Sequence, residues 1–382
     1  TDAQYANRGV EMTLEADGNS IRLFLTNPSV RLSVTDSSIP RRPRNTQVGI
    51  TARLLSGVQN RWDNFLAADL AAPSEEPEPT ATPDPAAAPT PVPDTPPEEE
   101  PVEGPGGVVF YEGSPFTYVT NPRTDMVRVF DSAGTLVNQW GGPGSGQGQF
   151  NDPSGIAINY DNGLVYVADT GNHRVQMFDT GGGFISQWGG EGDGRGQFNS
   201  PSGIAINPDS GLVYVSDTEN DRVQVFNLNG GFMTQWGASG KGDGELREPT
   251  GIAFNTLDGK VYVVDSGNHR VQVFLSVGLY DSQWGEKGSE KGRLLSPGGI
   301  LVHPVSGASY VADTGNHRIQ VFDQLGEYLF GWGSEGGGES QFRNPVGVSA
   351  DPASGRIYVA DTGNQRIQVF SQGGTFAFGW RP

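Results

Sequence analysis

The chain of 382 residues has no cysteine at all, and only four histidines and four methionines. Without thiols there can be no disulfide, no thiolate nucleophile and no cysteine-ligated zinc. Nowhere do eighteen apolar residues follow one another, so no segment reads as a membrane-spanning helix. Basic residues are scarce as well: 25 Lys and Arg face 44 Asp and Glu, for a formal charge of −19. A surface of that sign repels nucleic acid and anionic lipid, which need clustered Lys and Arg. No secretory leader opens the chain. Residue 1 is Thr, so the sequence reads as a processed form or a fragment.

What the chain has in quantity is glycine and proline, 56 and 27 residues. Their distribution separates three segments. Residues 73–104 and the following Pro105 hold twelve prolines and nine acidic residues with no basic one. Proline stiffens such a stretch and unopposed charge extends it, so it reads as a linker. At about 3.1 Å per residue its reach has a ceiling on the order of 100 Å.

Residues 1–72 read as a small α+β module. Apolar residues alternate at Val10, Met12 and Leu14, at Ile21, Leu23 and Leu25, and at Val30, Leu32 and Val34, with turns at Asp17-Gly18 and Asn27-Pro28. Leu54, Leu55, Val58, Trp62, Phe65, Leu66 and Leu70 are then spaced like one face of a helix. The basic run Arg41-Arg42-Pro43-Arg44 between them reads as a solvated loop. So short a piece makes a marginal core and is expected to lean on another molecule, by self-association or anchoring.

Beyond the linker, residues 105–382 repeat. Trp140, Trp188, Trp236, Trp284, Trp332 and Trp380 are each 48 residues apart, as are six tyrosines from Tyr118 to Tyr358 and six glycines from Gly107 to Gly347. Each copy parses into four short strands; in the second they are 155–159, 164–169, 174–178 and 183–189. A period in the forties made of short strands is the signature of propeller blades. Six blades stacked radially bury their faces and leave only short edges. The fold class is therefore all-β, a six-bladed propeller of four-stranded antiparallel blades. The first copy starts at an inner strand and the sixth stops at an outer one, so no strand exchange is expected between the ends.

Pro-x-Gly-Ile-Ala, Val-Tyr-Val-x-Asp, Asn-His-Arg-Val-Gln-Val-Phe and a closing Trp-Gly together resemble the NHL repeat. The resemblance covers roughly 105–382. It implies a six-bladed propeller serving as a platform for protein, nucleic-acid or glycan partners, with a minority of architectural relatives being enzymes, zinc-dependent amidating lyases among them. The first copy departs from the pattern: Asn121, Thr124 and Met126 replace its Asp, Asn and Arg.

Polar residues in the repeat invite a catalytic reading. Asp169, Asn172 and Arg174 recur as Asp217, Asn220 and Arg222, as Asp265, Asn268 and Arg270, as Asp313, Asn316 and Arg318, and as Asp361, Asn364 and Arg366. A constellation present in five blades of six is expected to be structural. The Asp ends one strand, the Arg starts the next, and an ion pair across the turn fixes the hairpin while Asn bonds turn backbone. Asp313→Ala is then expected to cost on the order of 1–3 kcal/mol by stranding Arg318. His173, His269 and His317 could suggest zinc, but they sit in separate blades where the other copies carry Asp125, Asp221 and Gln365, and they read as turn residues.

A second ring lies at the ends of the inner strands: Tyr111, Asn159, Asn207, Asn255, His303 and Asp351. The last five are candidate ligands for an ion in the central channel, against the plainer reading that they start the following turn. No catalytic residue and no cofactor is assigned, and no enzyme is expected. Walker and nucleophile-elbow motifs are missing from the chain.

The expected function is a non-enzymatic binding platform, displayed outside the cell and tethered to an assembly module, that takes a protein or glycan on the propeller face. Its variable positions are Ser145 and Gln147, Asp193 and Arg195, Lys241 and Asp243, Glu290 and Lys291, and Glu335 and Glu339. The alternative is a structural subunit of a surface layer or filament polymerised through 1–72. A metal-dependent lyase or hydrolase is the third reading.

Overall fold

The computed structural model describes residues 5–7, 10–17, 20–25, 104, 106–111 and 114–382. The chain divides into two compact units, Thr1–Val92 and Pro93–Pro382. The division falls inside the proline-rich stretch rather than at its end.

In the first unit three strands form an antiparallel sheet in sequence order: β1 (Tyr5–Asn7), β2 (Val10–Asp17) and β3 (Ser20–Leu25). The β2–β3 register pairs Leu14 with Leu23 and Asp17 with Ser20. A third alternating stretch at 30–34, the helical pattern of 54–70 and the linker up to residue 103 lie outside the described residues.

The second unit contains six four-stranded antiparallel sheets, each built from one continuous stretch of chain. The first is β4 (Val108–Phe110), β5 (Thr117–Asn121), β6 (Met126–Phe130) and β7 (Leu136–Gly141). The second is β8 (Pro153–Asn159), β9 (Leu164–Asp169), β10 (Arg174–Phe178) and β11 (Phe184–Gly189). The inner strand β8 begins two residues earlier than the Gly155 start read from sequence. Among the described residues no strand is exchanged between the first and last blades. Among the described residues no helix is long and apolar enough to cross a membrane.

Two sets of glycines explain how the blades close into a ring. At the axis, a Cβ on Gly107, Gly155, Gly203, Gly251, Gly299 or Gly347 would fall within 3.0 Å of a backbone carbonyl oxygen of the next blade, that of Ser154, Ser202, Thr250, Gly298, Val346 and Gly106 respectively. Only a residue without a side chain lets inner strands pack that closely. At the rim, each repeat tryptophan covers the turn glycine of the following blade. Trp140 sits on Gly182, Trp188 on Gly230, and so on to Trp380 on Gly134. Both series run from the sixth blade back to the first, so the ring is closed by side-chain packing and glycine contacts.

Between blades the core is aliphatic and aromatic. Val165, Val167 and Phe178 of the second blade pack with Val127, Val129 and Trp140 of the first. The seam is built alike, with Val119 and Phe130 against Tyr358, Ile367 and Val369. Tyrosine hydroxyls reach across as well: Tyr166 Oη donates to the Leu228 carbonyl at 3.0 Å, and Tyr118 Oη to that of Thr180 at 3.2 Å. Burial pushes the Tyr118, Tyr166 and Tyr262 phenols up to about 12.

Candidate functional site: the clamped connections between blades

The Asp–Asn–Arg constellation is a clamp whose object is the connection entering each blade. After β9 the chain makes one 3-10 turn, Thr170–Asn172, and leaves it through His173 in the left-handed region at φ 53°. This geometry returns Arg174 opposite Asp169 in the β9–β10 register. Asp169 is fully buried. It accepts from Arg174 Nε at 2.6 Å, from Asn172 Nδ2 at 3.0 Å, from Gln176 Nε2 at 2.9 Å and from the backbone N–H of Asn151 at 2.8 Å.

Arg174 uses all five of its N–H groups. Besides Asp169 it donates to the carbonyls of Ser145 (2.8 Å), Gly146 (2.8 Å) and Gln149 (3.0 Å) and to Gln187 Oε1 (3.0 Å). Asn172 donates to the Gly144 carbonyl at 2.9 Å. The turn-backbone bond expected of Asn is therefore replaced by bonds to the Asp carboxylate and to the connection. Asn is needed because its Nδ2 donates to both at once, which Asp cannot do.

The arrangement repeats around Arg222, Arg270, Arg318 and Arg366, whose Nε–Asp distances are 2.6 to 2.7 Å. In the fifth and sixth blades Gly331 and Gly379 stand where the earlier blades carry the glutamine that takes the fifth N–H. The arginine side chains there are 18 % and 19 % exposed, against 8–9 % in the others.

Sequence reasoning overlooked the glutamine two residues after each arginine. Gln176 donates to the Gln149 carbonyl and, through Oε1, accepts from the N–H of Gly148 at 2.9 Å. Gln224, Gln272, Gln320 and Gln368 do the same for their own connections. The signal was in the 48-residue period, which puts Gln at this position in five copies and Arg128 in the first.

The histidines are more than turn decoration. Nδ1 of His173, His269 and His317 accepts the backbone N–H of Ser200 (3.1 Å), Ser296 (2.9 Å) and Asn344 (3.1 Å), each on the connection that leaves the blade. Asp125 and Asp221 do this with a carboxylate, toward Asp152 and Glu248. In the sixth blade Gln365 takes Nη1 of Arg123 at 3.0 Å, across the seam. What the position requires is a short side chain with an acceptor, and for that reason its identity varies.

The inner-strand ring resolves into turn starters. Oδ1 of Asn159, Asn207 and Asn255 accepts the N–H two residues on, from Asp161, Asp209 and Leu257 at 2.9 to 3.0 Å. His303 Nδ1 faces the N–H of Val305 at 3.3 Å, and its Nε2 lies 3.0 Å from Gln372 Nε2. Asp351 accepts from Ala353 N–H at 3.0 Å and from the Ser354 hydroxyl. Among the described residues no group of three or more His, Asp or Glu side chains is placed to hold a metal ion.

Held this way, the connections are rigid yet exposed. Ser145, Gln147, Asp193, Arg195, Lys241, Asp243, Glu290, Lys291, Glu335 and Glu339 all face solvent. Each loop is pinned beneath by its clamp and by a buried plug: Phe150, Phe198, Leu246, Leu294 or Phe342. The family pattern described as "NHL repeat" matches residues 150–178, 198–226, 246–274 and 342–370. Each match begins at a plug and ends on the third strand of its blade. NHL repeats are thus found in four of the six blades, the second, third, fourth and sixth. No curated protein matches the sequence.

Solved structures share the propeller fold at low identity. A propeller in the nidogen/laminin complex superposes with TM-score 0.52 at 18 % identity, over 68 % of this chain and 91 % of that one. A streptogramin B lyase gives 0.52 at 14 %, over 74 % and 85 %. A protein of unknown function from Bacteroides thetaiotaomicron gives 0.57 at 17 %, over 72 % and 70 %. At these identities the likeness is one of fold.

The titrating groups set a pH window. Burial, and then Lys287, hold His269 below the ordinary imidazole value of 6.5; burial does the same for His303. A base whose folded pKa is depressed contributes fully above its unfolded pKa and loses that contribution as pH falls through the folded one. The buried tyrosines work in the opposite sense: their stabilisation is present below 10.0 and fades toward about 12. The melting temperature is expected to be flat from about pH 6.5 to 10 and to fall on both sides. Calorimetry on His303→Asn, which installs the residue of the second, third and fourth blades, should show a shallower loss just below pH 6.5. Tyr166→Phe should do the same above pH 10. Unchanged slopes in both variants would refute the assignment.

Proposed function

We propose that the NHL propeller is a non-enzymatic protein-binding platform, displayed at the cell surface or secreted, with the connections between blades as its contact face. The observation that carries this reading is the division of labour within each connection. Its backbone is fixed by Asp, Asn, Arg and Gln, while its side chains project outward with a charge that changes from blade to blade. The first connection is neutral between Gly142 and Gln149, the second bears Glu191, Asp193 and Arg195, and the fifth bears Glu335 and Glu339. Varying charge on a constant frame is how repeat proteins acquire a partner.

The polar residues that suggest chemistry are committed to these clamps, which supports a non-enzymatic role. That one neighbour is a propeller from a nidogen/laminin complex supports binding as a use of this architecture. In this reading residues 1–72 associate with copies of themselves or with an anchor.

Replacing Asp193, Arg195, Lys241 and Asp243 by the Ser and Gln of the first connection tests the platform. Partners crosslinked by the wild-type chain on its native cells should be lost, with the melting temperature unchanged. Unchanged capture would sink the proposal. Filaments of the purified chain in electron micrographs would favour the structural-subunit alternative.

A further inference from the structure

The strands of a blade alternate in direction, so its first and third turns lie on the face opposite the connections. On that face the fourth blade breaks the pattern of the other five. Where the third strand runs into its turn, they carry Asp131, Asp179, Asn227, Asp323 and Ser371. The first four of these each accept two turn N–H groups at 2.8 to 2.9 Å, as Asp179 does from Gly181 and Gly183. Ser371 accepts one, from Thr375 at 3.2 Å. The fourth blade has Leu275 there, which offers no acceptor. Val277 and Leu279 occupy the two positions whose N–H groups the cap holds elsewhere.

A local rule broken in one copy of a regular repeat marks a place where something other than stability is served. What the fourth blade gains is exposed apolar surface: Leu275, Val277 and Leu279 are 39 %, 68 % and 63 % exposed. Leu275 continues the alternating row of Val271 and Val273, which packs against the fifth blade. Leu279 lies across the turn from it, its carbonyl accepting the Leu275 N–H at 2.8 Å. In the fifth blade Gly326 packs on Trp284, which brings its neighbour Leu325, fully exposed to solvent, to the side on which Leu275 lies. Leu257 and Val305 stand exposed in the first turns of these two blades, on the same face. The first three blades expose only one or two large apolar residues each, which is ordinary for a protein surface; this grouping is not.

The junction between the two blades changes as well. Tyr118, Tyr166, Tyr214 and Tyr310 donate to a turn carbonyl of the following blade. Tyr262 donates instead to Asp258 Oδ2 of its own blade, at 3.1 Å.

Charge selects the occupant. Asp258, Asp281 and Glu327 are exposed around the patch, and Lys260 is committed to Asp281 at 2.7 Å. A second copy would set like-charged surfaces against each other, on chains of formal charge −19. An apolar segment bearing Lys or Arg matches both the leucines and the carboxylates. We propose that the turns of the fourth and fifth blades form a docking surface for an apolar protein segment flanked by Lys or Arg, on the face opposite the connections.

Calorimetric titration of the full chain with a synthetic peptide of interspersed leucine and lysine tests this, beside peptides in which glutamate replaces the lysines or serine replaces the leucines. The leucine–lysine peptide should bind about tenfold or more tightly than either control. Val277→Asn with Leu279→Thr installs residues of the third and first blades at two mostly exposed positions. The melting temperature should then stay within about 2 °C while affinity falls about tenfold or more. Met233→Thr, at an exposed site on the outer strand of the third blade, should leave affinity unchanged. Equal affinity for the three peptides, or binding that survives the double variant, would overturn the proposal. So would concentration-dependent sedimentation that the double variant abolishes, since the occupant would then be a second copy. Flotation of the wild type, but not of the double variant, with phosphatidylcholine vesicles would make the face a lipid contact and overturn it too.

Discussion

Asp217→Ala should destabilise the propeller by about 3–5 kcal/mol, the range for removing one partner of a buried ion pair. Asp217 is fully buried and accepts bonds from Arg222, Asn220, Gln224 and the N–H of Asn199. Its loss strands four donors, one of them a guanidinium that is only 8 % exposed. The site cannot flood easily, because the connection 190–200 lies over it on the same bonds. The 1–3 kcal/mol expected for Asp313→Ala from sequence suits its own, more exposed arginine better, since water can reach part of Arg318. Urea titration of both variants checks the order, with Asn121→Ala as a control in the blade without a clamp. An Asp217→Ala cost below about 1 kcal/mol, the worth of a single ordinary hydrogen bond, would show that the network is ornamental.

Trp380→Ala is expected to cost about 2–4 kcal/mol, less than for a fully buried aromatic because Trp380 is only partly buried, and to act differently. Trp380 packs on Phe130 at 5.5 Å and covers Gly134, joining the last blade to the first. Trp236→Ala removes the matching contact between the third and fourth blades, which a peptide connection still holds together. At the seam of the described residues no such connection exists. Trp380→Ala should therefore speed amide exchange selectively in the first and sixth blades and broaden the unfolding transition, whereas Trp236→Ala should leave one sharp transition. Identical behaviour of the two variants would mean that the seam is as strong as any other junction.

The blades were legible because each is local. Alternation, turn glycines and an unbroken period of 48 fix four strands per copy, and a blade needs nothing more to pair within itself. The Asp–Arg pairing was legible for the same reason, being five residues long. What could not be read was the target of the clamp, since Arg174 reaches Ser145, Gly146 and Gln149 across 25 to 29 residues. The histidine acceptors were obscured in a similar way: their partners lie 27 residues downstream, and His, Asp and Gln do not look like one residue type until the bond is seen. For Asn159 and its counterparts the turn role was legible because it is local, the Oδ1 accepting the N–H two residues on.

Because every sheet is completed within one run of about 48 residues, the order in which the blades are threaded is mechanically arbitrary. Cutting the chain in any connection and joining the present ends would leave all six ladders whole and merely move the seam. A load drawn through the N-terminal segment is borne first at that seam, by the short inner strand Val108–Phe110 and by whatever overlies it. The seam therefore coincides with the one blade that lacks the Asp–Asn–Arg clamp, where Asn121, Thr124 and Met126 replace its residues.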